Sequence, residues 1–400
     1  MSPERTLLLD MSRPTLGPRR ARRLRQAVAG IDWRHLIDRA RLHGVMALLY
    51  HHLARHASDV APPQILRLMH REATAVQMRN LLMMQELVRL VNCCSESGIP
   101  ILPFKGPVLA RRYYGELSLR QFQDVDVLVR RENLEDVWAL LYANGYQCRR
   151  GLSEAEARVA ARDNLGREFV HPERGVSIEI HSELLNRELT FRLSGDAVWD
   201  RAVPSSCGRA GMYELSPEDL LLYLCAHGAK HHWSRLLWVC DVAQVLHHHP
   251  DLDGRALRER AREIGSLRTL HLGLALARRW LDAPLPTDAC KQMDGDPMVE
   301  RLVREIEDRW FGTELGLKRP AGWQTFWFTL RTRQRLRDNW AMILRYGYLA
   351  VTPTDNDRAF AGASTPAPFL YLARPFRLLA ERLGLRSGSE QEYPSQTASP

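Results

Sequence analysis

The chain is 400 residues long, 45% hydrophobic and 26% charged, which excludes fibrous and low-complexity proteins and leaves room for two or three compact units. No apolar run approaches the roughly 18 residues that cross a bilayer, and Glu4 and Asp10 around a very short apolar run argue against a signal peptide. A net charge of +9 points to an anionic partner: a nucleotide, a nucleic acid or a membrane surface.

In chain order, Arg19–Arg25 (RRARRLR) reads as the solvated face of a first helix, with nucleic-acid contact as the sharper alternative. Asp32–Leu53 reads as one helix with Leu36, Ile37, Ala40, Val45, Leu48 and Leu49 on its apolar side. Pro62-Pro63 opens a long helix whose stripe runs from Ile65 to Cys94, and Gly98 suits its C-terminal cap. Residues 1–97 are therefore expected to form a helical region.

The pattern changes over residues 98–190, expected to form a small α/β core. Ile99–Phe104 is a strand-like run ended by Lys105-Gly106-Pro107, and Pro107 suits the first turn of a helix through Tyr114. Asp124–Val129 alternates like a strand, and Glu132–Asn144 returns to helical spacing. An acidic helix is expected around Ser153–Asp163, then a hairpin of Glu168–His171 and Val176–His181 turning at Pro172–Gly175.

Residues 191–385 read as a helical domain. Ser216-Pro217 begins its first helix, and others are expected at Ser234–Leu246, Asp253–Ile264, Leu267–Leu281, Met298–Arg309 and Thr325–Tyr348. Phe369–Leu383 is basic and amphipathic, and the tail 386–400 is polar enough to expect disorder. The fold class expected is α+β: a small mixed sheet flanked by N- and C-terminal helical regions.

Asp124 and Asp126 stand at i and i+2 and share one strand face. Solvated acids on an amphipathic strand would look the same, but Glu179 lies in a second alternating strand of the same unit. If the two strands are neighbours, three carboxylates converge on one or two Mg²⁺ ions, which take oxygen ligands and bridge to substrate phosphates. The Lys105-Gly106 turn before a helix is a candidate phosphate cradle beside an ordinary strand-to-helix turn. Lysine occurs only four times in this arginine-rich chain, at 105, 230, 291 and 318, which marks Lys105 and Lys230 as compact point charges. Seven cysteines without a CxxC pair fit reduced thiols and a cytoplasmic location.

The order K-G-x-x-L-x-x-x-x-Y, R-x-x-x-D-x-D-x-L-V and a later E-I-H resembles a family of uncharacterised bacterial nucleotidyltransferases within the DNA polymerase β-like superfamily. The residues concerned are Lys105, Gly106, Leu109, Tyr114, Arg120, Asp124, Asp126, Leu128, Val129, Glu179 and His181. Segments near residues 31–45, 227–246 and 370–378 extend the likeness. The resemblance implies transfer of a nucleoside monophosphate from an NTP to an acceptor, with release of pyrophosphate. Asp124, Asp126 and Glu179 would hold the metal, with Glu179 nearest the acceptor as general base. Lys105-Gly106 stands where the superfamily has Gly-Ser. Arg120 would pair with Asp124 or touch the nucleotide. His227 and His231 have the spacing of a zinc pair but no third ligand. With the resemblance, Lys230, His231 and Arg235 become candidates to line the opposite wall and meet the nucleotide, with Asp241 orienting one of them. The acceptor is open among a small molecule, a protein side chain and an RNA end. The alternatives are a nucleic-acid- or membrane-surface-binding protein with a vestigial site, motivated by Arg19–Arg25 and the segment 367–383, and a toxin-like enzyme acting on tRNA or protein.

Overall fold

The computed structural model of the protein describes residues 2–149, 166–185, 193, 195–205, 211–291, 293–311, 322–351, 369–371 and 374–377. The expected helix at 153–163, the tail 386–400 and much of the 369–383 segment lie outside them. The chain divides into two compact units, Met1–Arg335 and Leu336–Pro400.

In the first unit, five helices precede the sheet: α1 (Pro3–Asp10), α2 (Pro18–Ala27), α3 (Trp33–His43), α4 (Met46–His56) and α5 (Pro63–Glu96). The helix expected over Asp32–Leu53 is two helices. Gly44 adopts φ +71°, its N–H returns to the carbonyls of Ala40 and Arg41, and Val45 N–H bonds Ala40 O at 3.0 Å. This is a left-handed C-terminal cap that only glycine enters without strain. The 34 residues of α5 are α-helical as their stripe requires.

The sheet has the order β1-β2-β5-β4-β3. Its strands are β1 (Ile101–Pro103), β2 (Val125–Val129), β3 (Gln147–Cys148), β4 (Arg167–Val170) and β5 (Ser177–His181). β2 and β5 run parallel, with Asp126 opposite Glu179 and Leu128 opposite His181, and the other pairs are antiparallel. The hairpin lies where the alternation puts it, whereas β3 has too few residues to show a period. Between β1 and β2 runs α6 (Pro107–Tyr113), and α7 (Leu134–Ala143) follows β2.

Alternation gives the sheet two unlike faces. Val125, Val127, Val129, Phe169, Ile178 and Ile180 pack with Met83, Leu87, Leu90 and Val91 of α5 and Val137 and Leu141 of α7. On the other face Leu102, Phe104 and Leu128 join a larger core. That core includes Leu36 and Leu49 from the N-terminal helices and Leu221, Leu237 and Trp280 from the C-terminal ones. The acids sit on this second face.

After α8 (Gly195–Trp199) and a two-stranded ribbon, β6 (Val203–Pro204) with β7 (Tyr213–Glu214), the unit is helical: α9 (Pro217–Lys230), α10 (Leu236–His248), α11 (Gly254–Ile264), α12 (Leu267–Leu281), α13 (Pro297–Phe311) and α14 (Gly322–Arg331). Ser216 Oγ accepts from Asp219 N–H at 3.2 Å, which is the expected N-cap. Asp219 is fully buried and receives Arg201 at 2.8 and 3.1 Å and Arg260 at 2.9 Å. The single helix expected over Thr325–Tyr348 ends instead at Arg331. Arg268 Nη1 donates to the carbonyls of Arg331 and Arg333, and Thr269 Oγ1 donates to that of Thr332, so partners on α12 satisfy the backbone where the helix stops. In the second unit α15 spans Leu336–Val351. Among the described residues no helix is long and apolar enough to cross a membrane.

The basic cluster of α2 is partly spoken for. Arg25 makes two 2.6 Å contacts to Asp59, and Arg20 pairs with Asp10 and Asp282.

One buried histidine ties the N-terminal helices to the C-terminal ones. His43 is 1% exposed, packs at a tilt against Trp310 with ring centroids 4.3 Å apart and accepts a hydrogen bond from Leu236 N–H. Burial, and after it Arg39 and Arg235, push its pKa down to about 3. The unfolded chain takes up this proton near pH 6.5 and the folded chain does not, so stability is complete above that pH and falls below it. The expected loss is about 1.4 kcal/mol per pH unit from this residue. Urea unfolding at pH 7, 6 and 5 should show the decline, and His43→Phe should make it shallower by about that amount.

Candidate active site

The site begins at the turn between β1 and α6. Gly106 has φ +54°, and a Cβ placed there would stand 2.9 Å from the Asp124 carbonyl oxygen. The turn therefore lies directly on the backbone that carries the acids. Phe104 N–H bonds the Asp126 carbonyl at 3.3 Å and continues the β1–β2 pairing up to the turn. Lys105 is thereby aimed at Asp126, with its Nζ 2.9 Å from Oδ1. The same ammonium lies 5.8 Å from the Phe104 ring and 5.9 Å from the Tyr223 ring, so aromatic faces back the cation.

The second half of the site comes from β5. Strand alternation puts Glu179 and His181 on one face, and the parallel register sets them beside Asp126. His181 Nε2 is 3.3 Å from Asp126 Oδ1 and 3.5 Å from Glu179 Oε1. Ligand atoms of Asp126, Glu179 and His181 all lie within 4.8 Å of one another. The side chain of Asp126 is 1% exposed and that of Glu179 34%, so the cluster runs from the interior toward solvent. Glu168, opposite Glu179 on β4, is occupied by Arg149 at 2.6 Å and Ser177 at 2.7 Å.

The charges are strongly coupled. The charge of Asp126, and then burial, push Asp124 up to about 6. Burial works against ionised Asp126, but Lys105 and His181 outweigh it and hold its pKa far below the usual carboxylate range. Burial likewise opposes charge on His181, yet its two carboxylate neighbours raise it to about 9. Glu179 is lowered against its own desolvation, chiefly by His181. Lys105, buried as it is, stays charged because Asp126, Tyr223 and Asp124 surround it.

These residues fit a divalent cation. Neither Asp126 oxygen nor His181 Nε2 has a well-directed hydrogen bond, and hard cations favour carboxylate oxygens. Asp126 and Glu179, with His181 beside them, form the tight group, and Asp124 joins it through its charge.

The opposite wall is α9. Tyr223 packs edge-on to Phe104 at 5.0 Å, His227 stacks on Tyr223 at 5.8 Å, and His231 lies 4.7 Å from His227 and 5.1 Å from Trp238. Lys230 ends α9, and Arg235 stands at the residue before α10, in the turn between them. Desolvation comes first in holding His231 below its ordinary value, then the charges of Lys230, Lys105, His232 and Arg235. Lys230, His231 and Arg235 thus share one turn, and the charge of Lys105 reaches His231 there. That turn places two non-glycine residues, His232 (φ 56°) and Trp233 (φ 51°), in the left-handed region. The fully buried Trp233 ring holds it in place by filling space that side chains at Gly228 and Gly273 would take.

Arg120 has a different partner from either one considered in the sequence. It is 5% exposed and grips Asp241 of α10 with Nε at 2.7 Å and Nη2 at 2.9 Å, while Tyr114 OH donates to the same carboxylate at 2.7 Å. Asp241 thus holds Arg120 and Tyr114, not a member of the basic turn. The triad clamps the segment leading into Asp124 to α10.

Two contributors escaped the sequence reading. His181 stands in the E-I-H motif, which implies no role for it, yet it lies two residues after Glu179 on the same strand face. Gly166 carries no local signal. A Cβ there would lie 2.3 Å from Glu179 Oε1 and 2.6 Å from His181 Cε1, so the absence of a side chain makes room for the cluster.

Residues 29–282 match the family described as "Uncharacterised nucleotidyltransferase". No curated protein and no solved structure matches the chain.

Two substitutions separate scaffold from cluster. Asp241→Asn leaves buried Arg120 without its counter-charge and should destabilise the fold by about 3–5 kcal/mol in urea unfolding. Gly166→Ala should displace Glu179 and His181 while changing unfolding stability by less than about 1 kcal/mol, as a crystal structure and a melting curve of the variant would show.

Proposed function

The chain belongs to this nucleotidyltransferase family, and we propose that it moves a nucleoside monophosphate from an NTP to an acceptor, releasing pyrophosphate, at the Asp124–Asp126–Glu179 face. The observation that carries this reading is the in-register pairing of Asp126 with Glu179 beside Lys105. Asp126 and Glu179, supported by Asp124, are the residues that would hold Mg²⁺. A divalent ion bound there would offset charge on the transferring phosphoryl group and orient the attacking oxygen.

The chain's own groups have distinct parts. Asp126, deepest and always ionised, is the fixed anchor. Glu179, the more exposed carboxylate, faces the acceptor and takes its proton, with His181 orienting it. Lys105 offers a point charge to phosphate, and Gly106 lets the turn approach Asp124. Lys230 and Arg235 supply a positive rim for the remaining phosphates, and the neutral imidazole of His231 between them offers a hydrogen-bonding group to phosphate or base. Arg120 serves as a positioning residue through Asp241. The acceptor class stays open among a small molecule, a protein side chain and an RNA end. The vestigial-site alternative has less support, because Asp126 and Glu179 stand together with Lys105 and His181 beside them and Arg20 and Arg25 of the basic cluster are already paired.

Incubation with Mg²⁺, each α-³²P-labelled NTP and cell extract should yield pyrophosphate and a labelled acceptor. Asp126→Asn and Glu179→Gln should each lower transfer by at least about 10³-fold with the fold retained. Full activity in either variant, or no Mg²⁺-dependent NTP binding by the parent protein, would overturn the reading.

A further inference from the structure

In the structure the acid cluster is already neutralised from within. Lys105 Nζ occupies the near side of Asp126 Oδ1 at 2.9 Å, and His181 approaches the same oxygen at 3.3 Å. Charge holds the lysine there without a directional lock, since neither Asp126 oxygen receives a well-directed hydrogen bond. The Phe104 and Tyr223 rings keep the ammonium over the site independently of that carboxylate. The lysine sits in the turn that lies on Asp124, where anionic phosphates would arrive with a metal–nucleotide complex.

Resting on the function proposed above, we propose that Lys105 is an exchangeable counter-ion. It occupies Asp126 while the site is empty of substrate and passes to a nucleotide phosphate when a divalent cation takes that carboxylate. One Asp126 oxygen cannot serve the ammonium and a dication at full strength together. A bare cation must therefore displace Lys105 from the carboxylate that pairs it, in a largely buried setting, and this weakens binding of the metal alone. A metal–NTP complex brings its own acceptor for the displaced charge. The two ligands consequently bind as a unit, and Lys105 enforces the coupling. An arginine could not make the exchange as readily, because its planar fork would hold the carboxylate through two directed bonds.

Two measurements test this. In Mn²⁺ titrations followed by electron paramagnetic resonance without nucleotide, Lys105→Met should bind Mn²⁺ about tenfold more tightly than the parent protein, while Lys105→Arg should bind no more tightly than the parent. The parent itself supplies the second, since a chain with four lysines gives four side-chain signals after lysine-selective ¹³C/¹⁵N labelling. These are assigned by Lys230→Arg, Lys291→Arg and Lys318→Arg. The Lys105 signal should stay in place with the α,β-methylene analogue of an NTP alone and shift when Mg²⁺ is added with it. Unchanged nucleotide-free Mn²⁺ affinity in Lys105→Met, or a Lys105 signal that stays fixed while metal and analogue bind, would overturn the exchange and leave the proposed activity standing. A parent protein that binds no metal–analogue complex at all would overturn both.

Discussion

The parallel pairing of β2 with β5 is the constraint on which the rest of the structure depends. Neighbouring strands lie about 4.8 Å apart, so the register that sets Asp126 opposite Glu179 places two acids side by side on a mostly buried face. Like charges so close are costly where water is scarce. The fold meets that cost with an ammonium from the turn after β1 and an imidazole from β5 itself. Glycine at 106 and 166 supplies the room for both. Behind the sheet, α5 and α7 bury the alternate valines and isoleucines, so a one-residue slip would bring the acids into that core.

Where local chemistry decides, the sequence is readable. The period of two exposed the acid strand and the hairpin, and Ser216, Asp253 and Gly98 mark helix ends through their own side chains or backbone. Legibility fails where a distant partner decides. Helical spacing runs unbroken from Leu36 to Leu49, and only the left-handed turn at Gly44 divides it. The break after Arg331 depends on carbonyls that Arg268 and Thr269 satisfy from another helix. Arg120 stands four residues before Asp124 and yet belongs to Asp241, because Tyr114 and α10 offer a buried two-point grip that a neighbour in sequence does not. Composition counts charges without saying which ones meet.

The turn carrying His231 and Arg235 shows the same dependence on remote packing. Two consecutive left-handed residues cost on the order of 1–2 kcal/mol each. Trp233 offsets this by plugging the gap beside Gly228 and Gly273, while Trp310 and Arg309 donate to the Trp233 and His232 carbonyls. The turn is thereby packed and hydrogen-bonded from outside, and Lys105 stands between Tyr223 of the α9 wall and Asp126 of the acid strand.

The parallel pair also has a consequence in time. Asp126 and Glu179 are about fifty residues apart along the chain, and everything between them must be crossed before β5 can dock. Contacts of such long range close slowly, after the local helices and hairpins have formed. The β4–β5 hairpin and the β1–β2 pair join segments closer in sequence, and neither contains the cluster. The acids therefore come together only as the two halves of the sheet join, which makes the cluster a late product of folding.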